Sequence, residues 1–135
     1  MGQVLSLRVD GEPRPQARPR AFPAGHVGRV VTWSPKTPWY HAVAAAALRA
    51  RPQPPLAGAV ALTLAFYLTP PKTRRPAPHV TKRPDLDNLV KAVLDAMTWA
   101  RWWEDDAQVT RMTLTKSWAD EVNAPGLSAW ADELG

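Results

Sequence analysis

Apolar and polar residues alternate from Val4 to Val9, with Leu5, Leu7 and Val9 on one side and Ser6 and Arg8 on the other; this period of two predicts a half-buried strand. Gly11 and Pro13 end it. The prolines between Arg14 and Arg20 exclude helix, so that stretch reads as an extended loop, and Gly28 to Trp33 reads as a short strand returning from it. Thr37-Pro38 supplies an N-cap and a first-position proline for a helix through Ala50, closed by Pro52, Pro54 and Pro55. Ala59 to Leu68 carries Val60, Leu62, Leu64, Phe66 and Leu68 on one face and a mostly apolar second face, so it belongs near a sheet centre.

Residues 70 to 83 form a basic, proline-studded loop expected to add nothing to a core. Beyond it, Leu86, Leu89, Val90, Val93, Leu94 and Met97 have the spacing of one buried helical stripe, which leaves Asp87, Lys91 and Asp95 on the opposite face. Val109 to Trp118 alternates again and predicts a strand, with Met112, Leu114 and Trp118 opposite Arg111, Thr113 and Thr115. The stretch from Gly126 to Trp130 is expected to add at most a short edge strand. Trp99, Trp102 and Trp103 suit core packing, a dimer contact or base stacking.

At 135 residues, with neither repeat nor linker, the chain predicts one domain over 1–135. The longest apolar run, Ala42 to Leu48, is far short of a membrane span of ~18 residues. Met1 to Leu5 shows no basic segment leading into an apolar stretch, so cytoplasmic residence is the expectation. With no cysteine there is no thiol nucleophile and no Cys-ligated zinc, and His26, His41 and His79 are scattered.

Charge changes the picture, because it divides the chain. Residues 1–84 carry 13 Lys/Arg against Asp10 and Glu12, whereas 85–135 carry 4 against 10, within an overall +5. Two basic loops, about 11–28 and 70–84, precede an acidic stretch, and positive surface beside an acidic island suits a nucleic-acid partner.

That island starts at Asp85-Leu86-Asp87-Asn88-Leu89-Val90-Lys91 and resumes at Asp105-Asp106. Two helical residues two apart diverge by ~200°. Asp85 and Asp87 therefore converge only if Asp85 caps the helix in extended conformation and Asp87 lies in its first turn, with Lys91 one turn on. Each has an ordinary role as well, as a cap, a charge at a helix start or half of a surface ion pair. Four carboxylates so placed suit Mg2+, which takes a few carboxylate oxygens and completes its shell with water and phosphate. Consecutive residues in extended chain face opposite ways, so only one of Asp105 and Asp106 is expected as a primary ligand.

At these residues the chain resembles the RusA family of Holliday-junction resolvases, whose signature looks like Asp-x-Asp-Asn-Leu-x-Lys, then Asp, then Asp-Asp-x-Gln-Val. Here the match reads Asp85 to Lys91, Asp95, and Asp105-Asp106-Ala107-Gln108-Val109. The likeness is looser outside that span, at Gly11-Glu12-Pro13, Arg18-Pro19-Arg20 and His79 to Pro84, and weakest after Trp118. The resemblance implies an α/β (α+β) domain with a small mixed β-sheet flanked by two main helices, and a homodimer. It implies that Asp85, Asp87 and Asp106 bind Mg2+, for which Mn2+ substitutes, and that Lys91 assists at the phosphate. Family members often have glycine between this helix and the acidic pair, where this chain has Ala100-Arg101.

The expectation is a nuclease that resolves four-way DNA junctions by paired nicks. Arg14, Arg18 and Arg20 in the first loop and Lys72, Arg74, Arg75, Lys82 and Arg83 in the second would grip phosphates. The rivals are a module that binds branched or single-stranded DNA without cutting it, and a nuclease acting on flaps or RNA.

Overall fold

The computed structural model describes residues 4–16, 20–23, 30–33, 36–72 and 75–135, the backbone alone at 20–23 and 30–33. In chain order the elements are β1 (Val4–Asp10), β2 (Arg20–Pro23), β3 (Val30–Trp33), α1 (Pro38–Ala50), β4 (Val60–Leu68), α2 (Leu86–Trp99), β5 (Val109–Trp118) and β6 (Gly126–Glu133). A 3-10 turn over Asp106–Gln108 leads into β5. Four strands form one sheet in the order β1-β6-β4-β5, while β2 and β3 pair as a separate ribbon. β4 and β5 run parallel and the other two pairings are antiparallel, so the sheet is mixed and the fold is α+β.

β4 lies inside the sheet, as its two apolar faces require. Val60, Leu62, Leu64 and Phe66 are buried in one core with Leu7, Val9, Leu127, Ala129 and Ala131 of the other strands and with both helices, and Leu68 is buried on the same face. The second face, with Ala61, Thr63, Ala65 and Tyr67, is only half-buried. α1 has the expected ends: Thr37 caps it by accepting from the Tyr40 N–H at 3.1 Å, and Pro38 sits in its first turn. α2 buries Leu89, Val90, Val93 and Met97 with Ala92 and Ala96, while Leu86 and Leu94 are half-buried at the margin of that stripe.

Two expectations are corrected. The segment from Gly126 is no short edge strand but the eight-residue β6, and it lies between β1 and β4. Gly126 is required at its start, since its φ is +153° and a β-carbon there would collide with the Val9 carbonyl. The loop of residues 70 to 83 does contribute to the interior, because Val80 is buried. The cause lies in β5, which holds that loop through side chains described below.

The tryptophans divide. Trp102 and Trp103 are fully buried, whereas Trp99 is 58% exposed. Between them α2 ends in a Schellman motif: the Trp102 N–H donates to the Met97 carbonyl at 3.1 Å and the Arg101 N–H to the Thr98 carbonyl at 3.0 Å. Arg101 occupies the left-handed position at φ 67°, where glycine carries no steric penalty. Among the described residues its side chain pairs with Glu104 at 3.0 Å, in an exposed ion pair. Arg101→Gly is therefore expected to raise stability by about 0.5–1 kcal/mol, read as an upward shift of the urea midpoint at unchanged slope.

Candidate functional site

Asp85 occupies the N-cap of α2 with extended backbone (φ −75°, ψ 146°), and its carbonyl accepts from the Leu89 N–H at 3.1 Å. Its carboxylate makes no capping hydrogen bond. Asp87 follows in the first turn, and Asp85, Asp87 and Lys91 are all exposed. The ion pairs among the described residues are Arg8–Asp10 and Arg101–Glu104, so neither Asp87 nor Lys91 is held in a surface pair. Two carboxylates with no donor among the described residues thus sit at the positive end of a helix, with a cation one turn behind. Asp95, further along, is half-buried and close to Tyr40. Burial first, and then the Asp95 charge, hold the Tyr40 phenol above its ordinary pKa, so it remains a donor at neutral pH.

Both basic loops are drawn to this end of α2. The Gln16 N–H donates to the Asn88 carbonyl at 3.4 Å, which anchors the first loop beside Asp87. The Glu12 carboxylate accepts from the Thr69 N–H at 3.1 and 3.2 Å and from the Thr69 hydroxyl, which ties the start of that loop to the start of the second. Lys116 on β5 donates from Nζ to the carbonyls of Lys82 at 2.8 Å and Pro84 at 3.0 Å, fixing the turn that delivers Asp85. Trp118 donates from its indole nitrogen to the Ala77 carbonyl at 2.8 Å.

Arg14, Lys72, Arg75, Lys82 and Arg83 are exposed around this corner. Arg20 opens β2, where the backbone alone is described, and Arg18 and Arg74 lie outside the described residues. Glu12, Gln16, Lys116 and Trp118 are positioning residues that sequence reasoning missed. A signal existed for Lys116, a lone cation on the strand face of Met112, Leu114 and Trp118.

The second acidic pair is elsewhere. Asp105 is extended (φ −147°, ψ 135°) and caps the 3-10 turn, accepting from the Ala107 N–H at 2.9 Å. Gln108 completes the box by accepting from the Glu104 and Asp105 N–H groups at 2.9 and 3.2 Å, and its amide donates to the carbonyls of Leu56 and Gly58. Asp106 is exposed; its carbonyl accepts from the Val109 N–H, and its carboxylate makes no hydrogen bond among the described residues. This turn opens β5, whereas Pro84 meets β5 at Lys116, near its far end. The two acidic pairs are therefore separated by about the length of α2, on the order of 20 Å. Among the described residues no three His, Asp or Glu side chains are grouped so as to hold a metal ion. One chain alone does not offer the set of Asp85, Asp87 and Asp106 as a single centre.

No helix among the described residues is long and apolar enough to cross a membrane. A family model described as Endodeoxyribonuclease RusA matches residues 10–125, a span that takes in both acidic pairs and both basic loops and ends one residue before β6. No curated protein matches the chain.

Proposed function

The chain belongs to the RusA endodeoxyribonuclease family, and from that premise we propose that it resolves four-way DNA junctions as a homodimer, by Mg2+-dependent paired nicking. The observation that carries this reading is the convergence of two basic loops on the end of α2 that presents Asp85 and Asp87, whose carboxylates have no partner among the described residues. Hard oxygen donors of this kind suit Mg2+. Because Asp106 lies at the opposite end of α2 in the same chain, a centre that draws on all three carboxylates takes Asp85 and Asp87 from one copy and Asp106 from the other. A two-fold axis then generates two such centres, the relation that symmetric nicks in a four-way junction need.

Bound Mg2+ would polarise the scissile phosphate and acidify a water. The protein's own part is positional and electrostatic. Lys91, one turn from Asp87, offsets the negative charge that grows on the phosphate oxygens. Arg14, Lys82 and Arg83 hold backbone phosphates on either side of the α2 terminus and so favour branch geometry over base sequence. Asp105, spent on the Ala107 N–H, is left as a structural cap.

A labelled four-way junction is expected to bind in EDTA and to be nicked symmetrically in Mg2+ or Mn2+, with little cutting of linear duplex, a flap or RNA. Binding without nicking in either metal would instead favour a recognition module, which the lack of a grouped metal set among the described residues of one chain also favours. Mixed dimers separate the two arrangements. Asp87→Asn and Asp106→Asn are each expected to be inactive, yet after co-refolding at equal amounts about half of the dimers combine the two and regain one intact centre. The mixture should nick single strands without resolving the junction. No recovery of nicking would rule out a centre shared between copies.

A further inference from the structure

We propose that the cleft beneath the second basic loop receives one unstacked nucleobase and its phosphate from the branch of the DNA. The inference rests on the nucleic-acid reading above and adds which part of the substrate is read. The cleft is about 240 Å3 and is lined by Pro76, Ala77, Arg75, His79, Lys82 and Trp118. Its volume lies below the roughly 300–1,000 Å3 of sites for drug-sized ligands, which suits a single base.

The lining has the two parts that binding an unpaired nucleotide requires. Trp118 supplies an aromatic wall, and its indole N–H to Ala77 fixes the ring relative to the loop, so the wall is set before a ligand arrives. Pro76 and Ala77 add apolar surface. Arg75, His79 and Lys82 are exposed and bring donors for a phosphate.

Position selects the base. Lys82 is three residues from Asp85, so their Cα atoms lie no more than about 11 Å apart and the cleft edge adjoins the start of α2. In continuous duplex every base is stacked and paired, and extruding one carries a penalty that is least where pairing is already broken. A branch supplies such a base close to the phosphate to be cut. The cleft would thereby favour junctions over linear DNA through a contact that the basic loops alone do not provide.

The test is a binding cycle in EDTA, where no cutting intervenes, using four-way junctions that carry one abasic site at each branch-adjacent position in turn. The parent is expected to lose roughly 5- to 150-fold in affinity at one position, the range for a single base–aromatic stack. Trp118→Leu should lose a similar factor on the intact junction and nothing more on that abasic one. Trp118→Phe, which keeps a ring but lacks the bond to Ala77, should restore most of the difference, and its melting curve checks the fold. Equal abasic losses in parent and Trp118→Leu would overturn the proposal, as would the absence of any sensitive position. The same coupling on a linear single strand would overturn the assignment to a branch. Nicking by the parent in Mg2+ is scored separately: a parent that nicks but shows no coupling loses the base site alone, and one that couples without nicking loses the nuclease reading alone.

Discussion

Asp87→Asn is expected to lower the rate of junction cleavage by roughly 10³-fold or more while leaving junction affinity unchanged or higher. The exchange keeps the shape of the side chain and removes one negative charge. Asp87 is exposed and outside every ion pair among the described residues, so the fold asks little of it. Losing its favourable position in the first turn of α2 costs about 0.3–1 kcal/mol, well short of unfolding the protein. Affinity should not fall, because a carboxylate beside phosphate repels it when no metal intervenes. Single-turnover cleavage and gel-shift titration of one preparation separate the two effects. A parental cleavage rate would remove Asp87 from the chemistry.

Trp102→Ala is expected to have the largest effect on stability, about 3–5 kcal/mol, which is a major share of the roughly 5–15 kcal/mol of a typical domain. Trp102 is fully buried, and its indole N–H donates to the Ala47 carbonyl at 2.8 Å. Its backbone serves as well, accepting from the Leu56 N–H at 2.8 Å and donating to Met97. Alanine would leave a cavity between α1 and the end of α2 and strand the Ala47 carbonyl. Trp99→Ala is the matched control, since that side chain is largely exposed and should shift stability by no more than about 0.5 kcal/mol. Urea titration of both variants checks the contrast. Similar midpoints for the two would mean that Trp102 is not the keystone its burial implies.

Much of the fold was legible because local pattern and tertiary role agree. Thr37-Pro38 caps α1 as its chemistry dictates, and both the alternation in β4 and the stripe in α2 correspond to what the core buries. β6 was legible only as a short edge strand, not in its full length or its central place, because Gly126, Ser128, Ala129 and Ala131 have little strand propensity of their own. What makes this segment a strand is pairing with β1 and β4, both far away in sequence.

The acidic residues were equally plain in the sequence, but not their separation, which depends on which end of α2 each occupies. The spacing of Asp105 and Gln108 is that of a capping box, and it marks Asp105 as structural beside Asp106, whose carboxylate is unbonded among the described residues. The handling of the second basic loop by Lys116 and Trp118 is a tertiary matter, set by side chains more than thirty residues downstream.

The place of β6 has a kinetic consequence. β1 and β4 do not touch each other in the sheet; each is hydrogen-bonded to β6. The partners of β1 lie some 120 positions along the chain, so that ladder closes the longest loop in the molecule. High contact order of this kind slows the search for the native state. Helix pairing and the parallel β4–β5 ladder can assemble early, whereas β1 gains a neighbour only once β6 has zipped onto β4, which makes insertion of that strand the step that commits the chain.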